Sequence, residues 1–285
     1  MGENTGERLF LENEAVYEEI PGNPEAKNEE TLGNLESEKN GKTPDNPEIE
    51  KEKLLEFISS GNLEIDRKLE GGIPVGSLCL LEGEKDSGKS VLMQQIMWGA
   101  LNQDKKALAL TTEKTSKNLL NNMESLNLDI SDYFILGRSK IFEINASYVE
   151  ENPELSEKLL QTLLECVEQC EEDLILIDSL TILAVSASEN ALLNFFTGCV
   201  KLCDKGKTIL ISVHGYTFPQ QVIHRLKSTC DTCIELRIEQ VGDKLINTLE
   251  IQKLRGARKI TGNMLSFNVD SDSGLKIIPV SKVKI

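Results

Sequence analysis

Of the 285 residues, 47 are acidic and 31 basic, for a formal net charge of −16, and 39% are apolar. So acidic a chain lacks the basic face that holds phosphate backbones, which argues against nucleic acid as a partner. The apolar content suffices for a core, yet no apolar run reaches the roughly 18 residues of a membrane span.

The N-terminal stretch MGENTGERLFLENEAVYEE has no basic segment followed by an apolar one, so no secretory signal is read. A cytoplasmic protein without membrane insertion is expected. Residues 1–50 hold fourteen acidic residues against Arg8, Lys27, Lys39 and Lys42, and four of the eight prolines. Such a segment buries too little apolar surface to offset chain entropy. Residues 1–51 are therefore expected to form a disordered acidic arm, and residues 52–285 the folded domain. Within the arm, LFL at 9–11 and AVYEEI at 15–20 have the makeup of a short docking motif; a solubilising tail is the simpler reading.

From about residue 52 strands and helices alternate. SLCLLEG (77–83) is an apolar run ending on glycine, as a buried parallel strand does. Directly after it, Gly83-Glu84-Lys85-Asp86-Ser87-Gly88-Lys89-Ser90 matches the phosphate-binding loop G-x-x-x-x-G-K-[ST] in full. Leu92, Ile96, Gly99 and Ala100 then share one helical face, so the motif has the strand before and the helix after that it requires. Glycines let backbone N–H groups turn inward as a nest for phosphate oxygens, and the helix start adds its positive dipole end. Glu84, Lys85, Asp86, Ser87, Gly88, Lys89, Ser90 and Val91 are the expected contacts to ATP. Lys89 would reach the β- and γ-phosphates, and the Ser90 hydroxyl would ligate Mg2+. A chance glycine-rich turn is the competing reading, and the flanking elements weigh against it.

KALALTT (106–112) reads as the next strand, followed by a helix with Leu119, Leu120, Met123 and Leu126 on one face. Glu113, at the end of that strand, is a candidate base or water-orienting group; a capping role near Thr112 and Thr115 competes with it. Leu155, Leu159, Leu163, Val167 and Cys170 mark a longer helix. DLILIDS (173–179) and TILISV (208–213) are buried strands around a helix bearing Leu192, Phe195, Phe196, Cys199 and Cys203. Asp178 at the end of the first is the expected second metal ligand, with helix capping as its alternative. His214, just past the second, is a candidate γ-phosphate sensor or a histidine bonded to its own loop.

The seven cysteines read as small core hydrophobes, the 166/170 and 199/203 pairs by their helical spacing. Cys230-x-x-Cys233 has half of a zinc motif, without a second pair and with only His214 and His224 as histidines. From about Thr232 the pattern alternates (CIELRI, LINTLEI, MLSFNV, LKIIPV), which suits hairpins added at a sheet edge. Lys253 and Arg255 fall on one side of an extended strand there, either as arginine-finger-type groups for a neighbouring subunit or as exposed cations; exposure is the simpler reading. The whole is an α/β chain: a mostly parallel central sheet flanked by helices, with antiparallel hairpins at its C-terminal end.

The segment 61–95, with its LEGGIPVG turn before the loop, resembles the opening of RecA-superfamily ATPases of the KaiC type. The resemblance continues through TTEKTSKNLLNNMESLNLD, LILIDSLT, ILISVHGY and QKLRGARKITGN, and in these details the chain is similar to the accessory ATP-binding family of the archaellum, FlaH or ArlH. It covers roughly residues 52–285 and not the acidic arm. It implies a RecA-like core with Mg·ATP as ligand, and a homo-oligomeric ring, as a hexamer. It also implies a place in the cytoplasm at the inner membrane face, beside the motor ATPase FlaI and a membrane-associated scaffold. Of the two adjacent glutamates that the resemblance implies after the second strand, Glu113 matches the first and Lys114 replaces the second. That departure favours nucleotide binding as a switch with weak or no hydrolysis over a turning-over ring ATPase. The resemblance also implies that Lys253 and Arg255 act across a subunit interface. A recombinase is disfavoured because SLTILAVSASENALL after Asp178 has no Lys or Arg.

Overall fold

A computed structural model describes residues 56–146, 149, 152–241, 244–256, 264–270 and 274–278. The expected acidic arm and its two apolar segments lie outside the described residues. Two short antiparallel strands, β1 (Phe57–Ile58) and β2 (Ile73–Pro74), flank α1 (Leu63–Lys68). Asn62 caps that helix by accepting from the Glu64 and Ile65 amides.

The main body then runs β3 (Leu78–Gly83), α2 (Lys89–Asn102), β4 (Ala107–Thr111), α3 (Ser116–Ser125), α4 (Ser131–Ile135) and β5 (Ser139–Glu143). It continues with α5 (Pro153–Gln169), β6 (Leu174–Asp178), α6 (Thr181–Ala184), α7 (Glu189–Asp204), β7 (Thr208–Val213) and α8 (Gln220–Thr229). β8 (Thr232–Val241), β9 (Lys244–Lys253), β10 (Met264–Asp270) and β11 (Gly274–Ile278) close the chain. Nine of these strands form one sheet in the order β11-β10-β9-β8-β3-β7-β6-β4-β5. From β8 to β5 neighbours are parallel, and from β8 to β11 antiparallel.

The continuous apolar runs have a simple cause: both faces of the parallel strands are covered. Cys79, Leu81, Ala107, Ala109, Leu174 and Leu176 face a core built with α2, α3 and the C-terminal strands. Their alternates Leu78, Leu80, Leu108, Leu110, Ile175 and Ile177 face a second core under α5, α7 and α8. Helix α2 is buried on most sides, and its Gln95 amide donates to Ser60 O at 3.1 Å.

Two features differ from the pattern read in sequence. β8 belongs to a hairpin with β9, as expected, but it also pairs in parallel with β3, which places it inside the sheet and not at its edge. β5 was hidden because it is the edge strand, with Lys140, Phe142 and Glu143 exposed and only Ser139 and Ile141 buried. Cys199, Cys203, Cys230, Cys233 and Cys79 are buried, whereas Cys166 and Cys170 on α5 and its cap are half-buried. No helix among the described residues is long and apolar enough to cross a membrane.

Candidate nucleotide-binding site

The loop between β3 and α2 is shaped by close approach. A Cβ on Gly83 would lie 2.4 Å from the Leu236 carbonyl oxygen of β8, so that position accepts no side chain. Gly88 has φ +96° and a Cβ there would meet the Phe267 ring at 2.9 Å, so the start of α2 needs glycine on both grounds. Asp86 also takes a left-handed conformation, at φ 61°. The buried Ser87 hydroxyl donates to Glu84 O at 2.8 Å and ties the loop to itself. No side chain caps α2, which leaves its first-turn N–H groups for an anion.

Lys89, 6% exposed, donates from Nζ to Gly83 O (3.0 Å) and Glu84 O (2.6 Å). Burial holds its ammonium below the ordinary lysine range, and the Asp178 and Glu113 carboxylates oppose that shift.

A cavity of about 620 Å3 opens beside this loop, at the carboxyl ends of the parallel strands. Lys85, Asp86, Gly88, Lys89, Ser90 and Val91 form one wall. The ends of β4, β6 and β7 contribute Glu113 and Lys114, Asp178 and His214, while Ile182 and Val269 add apolar surface. Glu84 and Ser87, also expected as contacts, do not line it. Glu84 borders a separate cavity with Tyr216 and Arg237, and Ser87 faces its own loop.

Sheet order sets these positions. β7 lies between β3 and β6, so its Ser212 reaches across to donate to Asp178 Oδ1 at 2.7 Å. β4 lies beyond β6, and the Thr112 amide donates to Asp178 O at 3.0 Å. The Thr112 hydroxyl bridges further, donating to Ser179 O at 3.0 Å. Glu113 follows directly, and partial burial first, then the Asp178 carboxylate, push its carboxyl above the ordinary glutamate range. Thr115, not Glu113, caps α3, accepting from the Asn118 amide at 3.2 Å. His214 donates its amide to Thr181 Oγ1 at 2.8 Å and stacks on Tyr216 with ring centroids 5.7 Å apart. Burial and the nearby Lys89 charge hold its imidazole below the usual histidine range.

Lys253 and Arg255 are not brought to this cavity. β9 ends at Lys253, so Arg255 occupies the following turn instead of sharing a strand face with it. Lys253 Nζ donates to the carbonyls of Lys227 (3.4 Å), Ser228 (3.0 Å) and Cys230, at the C-terminus of α8. Arg255 pairs with Asp231 at 3.5 Å, and Asp231 in turn accepts from the Leu78 amide. Leu78 begins the strand that Gly83 ends, a separation of about 15–20 Å.

The wall residues Lys114, Ile182 and Val269, and Ser212 buried behind Asp178, lie outside the set that the sequence points to. Ser212 is the one polar residue late in TILISV, and that interruption of an apolar strand was the available signal. Lys114 was noticed as a departure but not as a cavity residue, and Val269 and Ile182 carry no local signal at all.

The residues fit a magnesium-bound triphosphate. An uncapped helix start and a glycine-kept hollow suit phosphate oxygens, and the Ser90 hydroxyl and Asp178 carboxylate are the hard oxygen donors that Mg2+ takes.

The family model for KaiC ATPases matches residues 58–282. The chain is 36% identical over 226 residues to the archaeal flagellar ATP-binding protein FlaH of Sulfolobus acidocaldarius, spanning 79% of this chain and 98% of that one. The crystal structure of flagellar accessory protein FlaH from Methanocaldococcus jannaschii superposes with a TM-score of 0.68 at 23% identity, covering 79% of this chain and 100% of that one. A KaiC-like protein of Pyrococcus horikoshii superposes with a TM-score of 0.63 at 21% identity, with 79% and 100% covered.

Proposed function

The chain belongs to the KaiC family of ATPases and, within it, to the FlaH family of archaeal flagellar proteins, and from that premise we propose a nucleotide-controlled assembly role in the archaellum motor. Residues 52–285 act as one domain that binds Mg·ATP, assembles as a ring, a hexamer in this reading, and engages the motor ATPase FlaI and a membrane-associated scaffold. The place of action is the cytoplasmic side of the membrane. The observation that carries this reading is the convergence of Lys89, Ser90, Asp178 and Glu113 on one cavity at the carboxyl ends of four parallel strands.

In that cavity Lys89 would hold the β- and γ-phosphates, and Ser90 with Asp178 the magnesium ion. Ser212 keeps the Asp178 carboxylate turned toward the site. His214, at the end of the strand between loop and Asp178, would sense the terminal phosphate. Bound Mg·ATP supplies a terminal phosphate whose presence or absence the protein can read. A difference in ATP affinity between assembled and free subunits is what turns binding into assembly. Lys253 and Arg255 lie too far from their own cavity, so any role for them in nucleotide binding is on a neighbouring copy's site.

Lys114 beside Glu113 favours weak turnover, since a neighbouring cation lowers the basicity of a carboxylate. The opposite tendency supports a second reading, a hydrolysing ring ATPase: partial burial and Asp178 raise the Glu113 carboxyl toward the range of a general base. ATP turnover, measured with nucleotide affinity and light-scattering mass with and without Mg·ATP, separates the two. The switch reading expects tight binding, negligible turnover and a nucleotide-dependent rise in mass. Turnover of about one per second, lost in Lys253→Ala or Arg255→Ala, would instead make the protein a ring ATPase.

A further inference from the structure

The cavity has a direction. Along the sheet order its walls run from Val269 on β10, past the loop after β3 and His214 after β7, to Asp178 on β6 and then Glu113 and Lys114 after β4. One end is apolar, where Val269 and Val91 stand, and suits a base or ribose. The phosphate nest lies between, and the other end is ionic, with Asp178, Glu113 and Lys114, and carries Ile182 as well. A nucleotide whose β-phosphate sits in the loop therefore points its terminal phosphate toward β6 and β4.

Lys114 stands at that ionic end on a firmly held piece of chain. Its amide donates to Thr111 Oγ1 at 3.2 Å, the preceding Thr112 is bonded to Asp178 and Ser179, and Thr115 begins α3 as its cap. Most lysines of the fold that are half-buried have an acceptor: Lys105 with Glu56, Lys227 with Glu82, and Lys207 and Lys253 with backbone carbonyls. The half-buried Lys114 makes no ion pair or hydrogen bond through its ammonium among the described residues, and its charge acts on the neighbouring Glu113 carboxylate. A cation that lines a cavity and has no hydrogen-bond acceptor is matched by an anion placed there.

We propose that Lys114 contacts the terminal phosphate of a bound nucleoside triphosphate and gives the cavity its preference for triphosphate over diphosphate. The inference rests on the reading of the cavity as the Mg·ATP site and adds the residue that distinguishes loaded from spent nucleotide. The same contact would hold the ammonium next to Glu113 while a triphosphate is bound, which suits a protein that keeps its nucleotide.

Titration calorimetry of the full chain with Mg·ADP and with the magnesium complex of the β,γ-imido analogue of ATP tests this. The proteins compared are wild type, Lys114→Ala, Lys114→Arg and Lys89→Ala, with circular dichroism to check folding. Lys114→Ala should weaken the triphosphate analogue about tenfold, the low end for a charge-assisted hydrogen bond, and leave ADP within about twofold. Lys114→Arg should keep the discrimination. Equal losses for both nucleotides, or no loss for either, would overturn the role of Lys114 while leaving the site intact. The site itself fails separately if wild type binds neither nucleotide or if Lys89→Ala binds both as wild type does.

Discussion

The two ends of the parallel strands treat their cations differently. At the carboxyl ends, Lys85, Lys89 and Lys114 surround a cavity together with Asp86, Glu113 and Asp178, and two of the three ammonium groups make no hydrogen bond or ion pair among the described residues. At the amino end of β3, Lys253 and Arg255 are both engaged within their own chain, on the α8 carbonyls and on Asp231. Cations left without hydrogen bonds around a hollow suit an anionic ligand. Cations already bonded contribute to stability first, and a part in another subunit's chemistry requires giving those bonds up.

The sharpest way to break this contrast is Lys89→Ala. Mg·ATP affinity should fall on the order of 100-fold, because two or more charge-assisted contacts are removed, and the loss of its bonds to the Gly83 and Glu84 carbonyls should also lower the melting temperature. Calorimetry and a thermal melt measure both; unchanged affinity would remove the cavity from consideration. Next in size, Asp178→Asn should abolish most of the dependence of ATP affinity on Mg2+, so that titrations with Mg2+ and with EDTA converge.

At the opposite end the expected effects are on stability. Lys253→Ala uncovers the last carbonyls of α8 and should cost about 1–2 kcal/mol in urea unfolding. Arg255→Ala removes an exposed ion pair and should cost less than about 1 kcal/mol. Nucleotide affinity of the isolated subunit should be unaltered in both. If Lys253→Ala were as stable as wild type, the helix-end contacts would not be what holds it.

The smallest effects concern pH. Glu113, raised in the folded state, stabilises the protein below its unfolded value and loses that contribution as pH rises through its folded value. Glu113→Gln should therefore be somewhat more stable than wild type at neutral pH and flatten the decline. His214, lowered in the folded state, contributes stability above its unfolded value that is lost as pH falls through the folded one. His214→Gln should flatten the rise in stability seen on approaching neutrality from the acid side.

The alternation of buried strands and helices is written in the sequence because each strand carries two cores at once, which makes runs such as LILI and TILI unbroken. The edge strand β5 was not legible in this way, since most of its residues face solvent and dilute the signal, whereas α8 carries a short one-faced helical pattern in Val222, Ile223 and Leu226. The inner place of β8 was also hidden: its alternating pattern is set by one hairpin partner, while its pairing with β3 depends on a strand more than 150 residues earlier in the chain.

By itself the sequence determined the glycine-rich loop after β3 and its setting, because strand, glycine turn and helix start are one continuous segment whose conformation follows from local sterics. It likewise determined that Asp178 ends a buried strand and that Glu113 and Lys114 follow another. Only the tertiary structure decided that these ends share a cavity, that Ser212 holds Asp178, and that Lys114 faces the same hollow as Lys89. Only it decided that Lys253 turns back onto α8. Those outcomes depend on which strands lie side by side, and strand order comes from packing two cores across the whole sheet, which no local stretch of chain encodes.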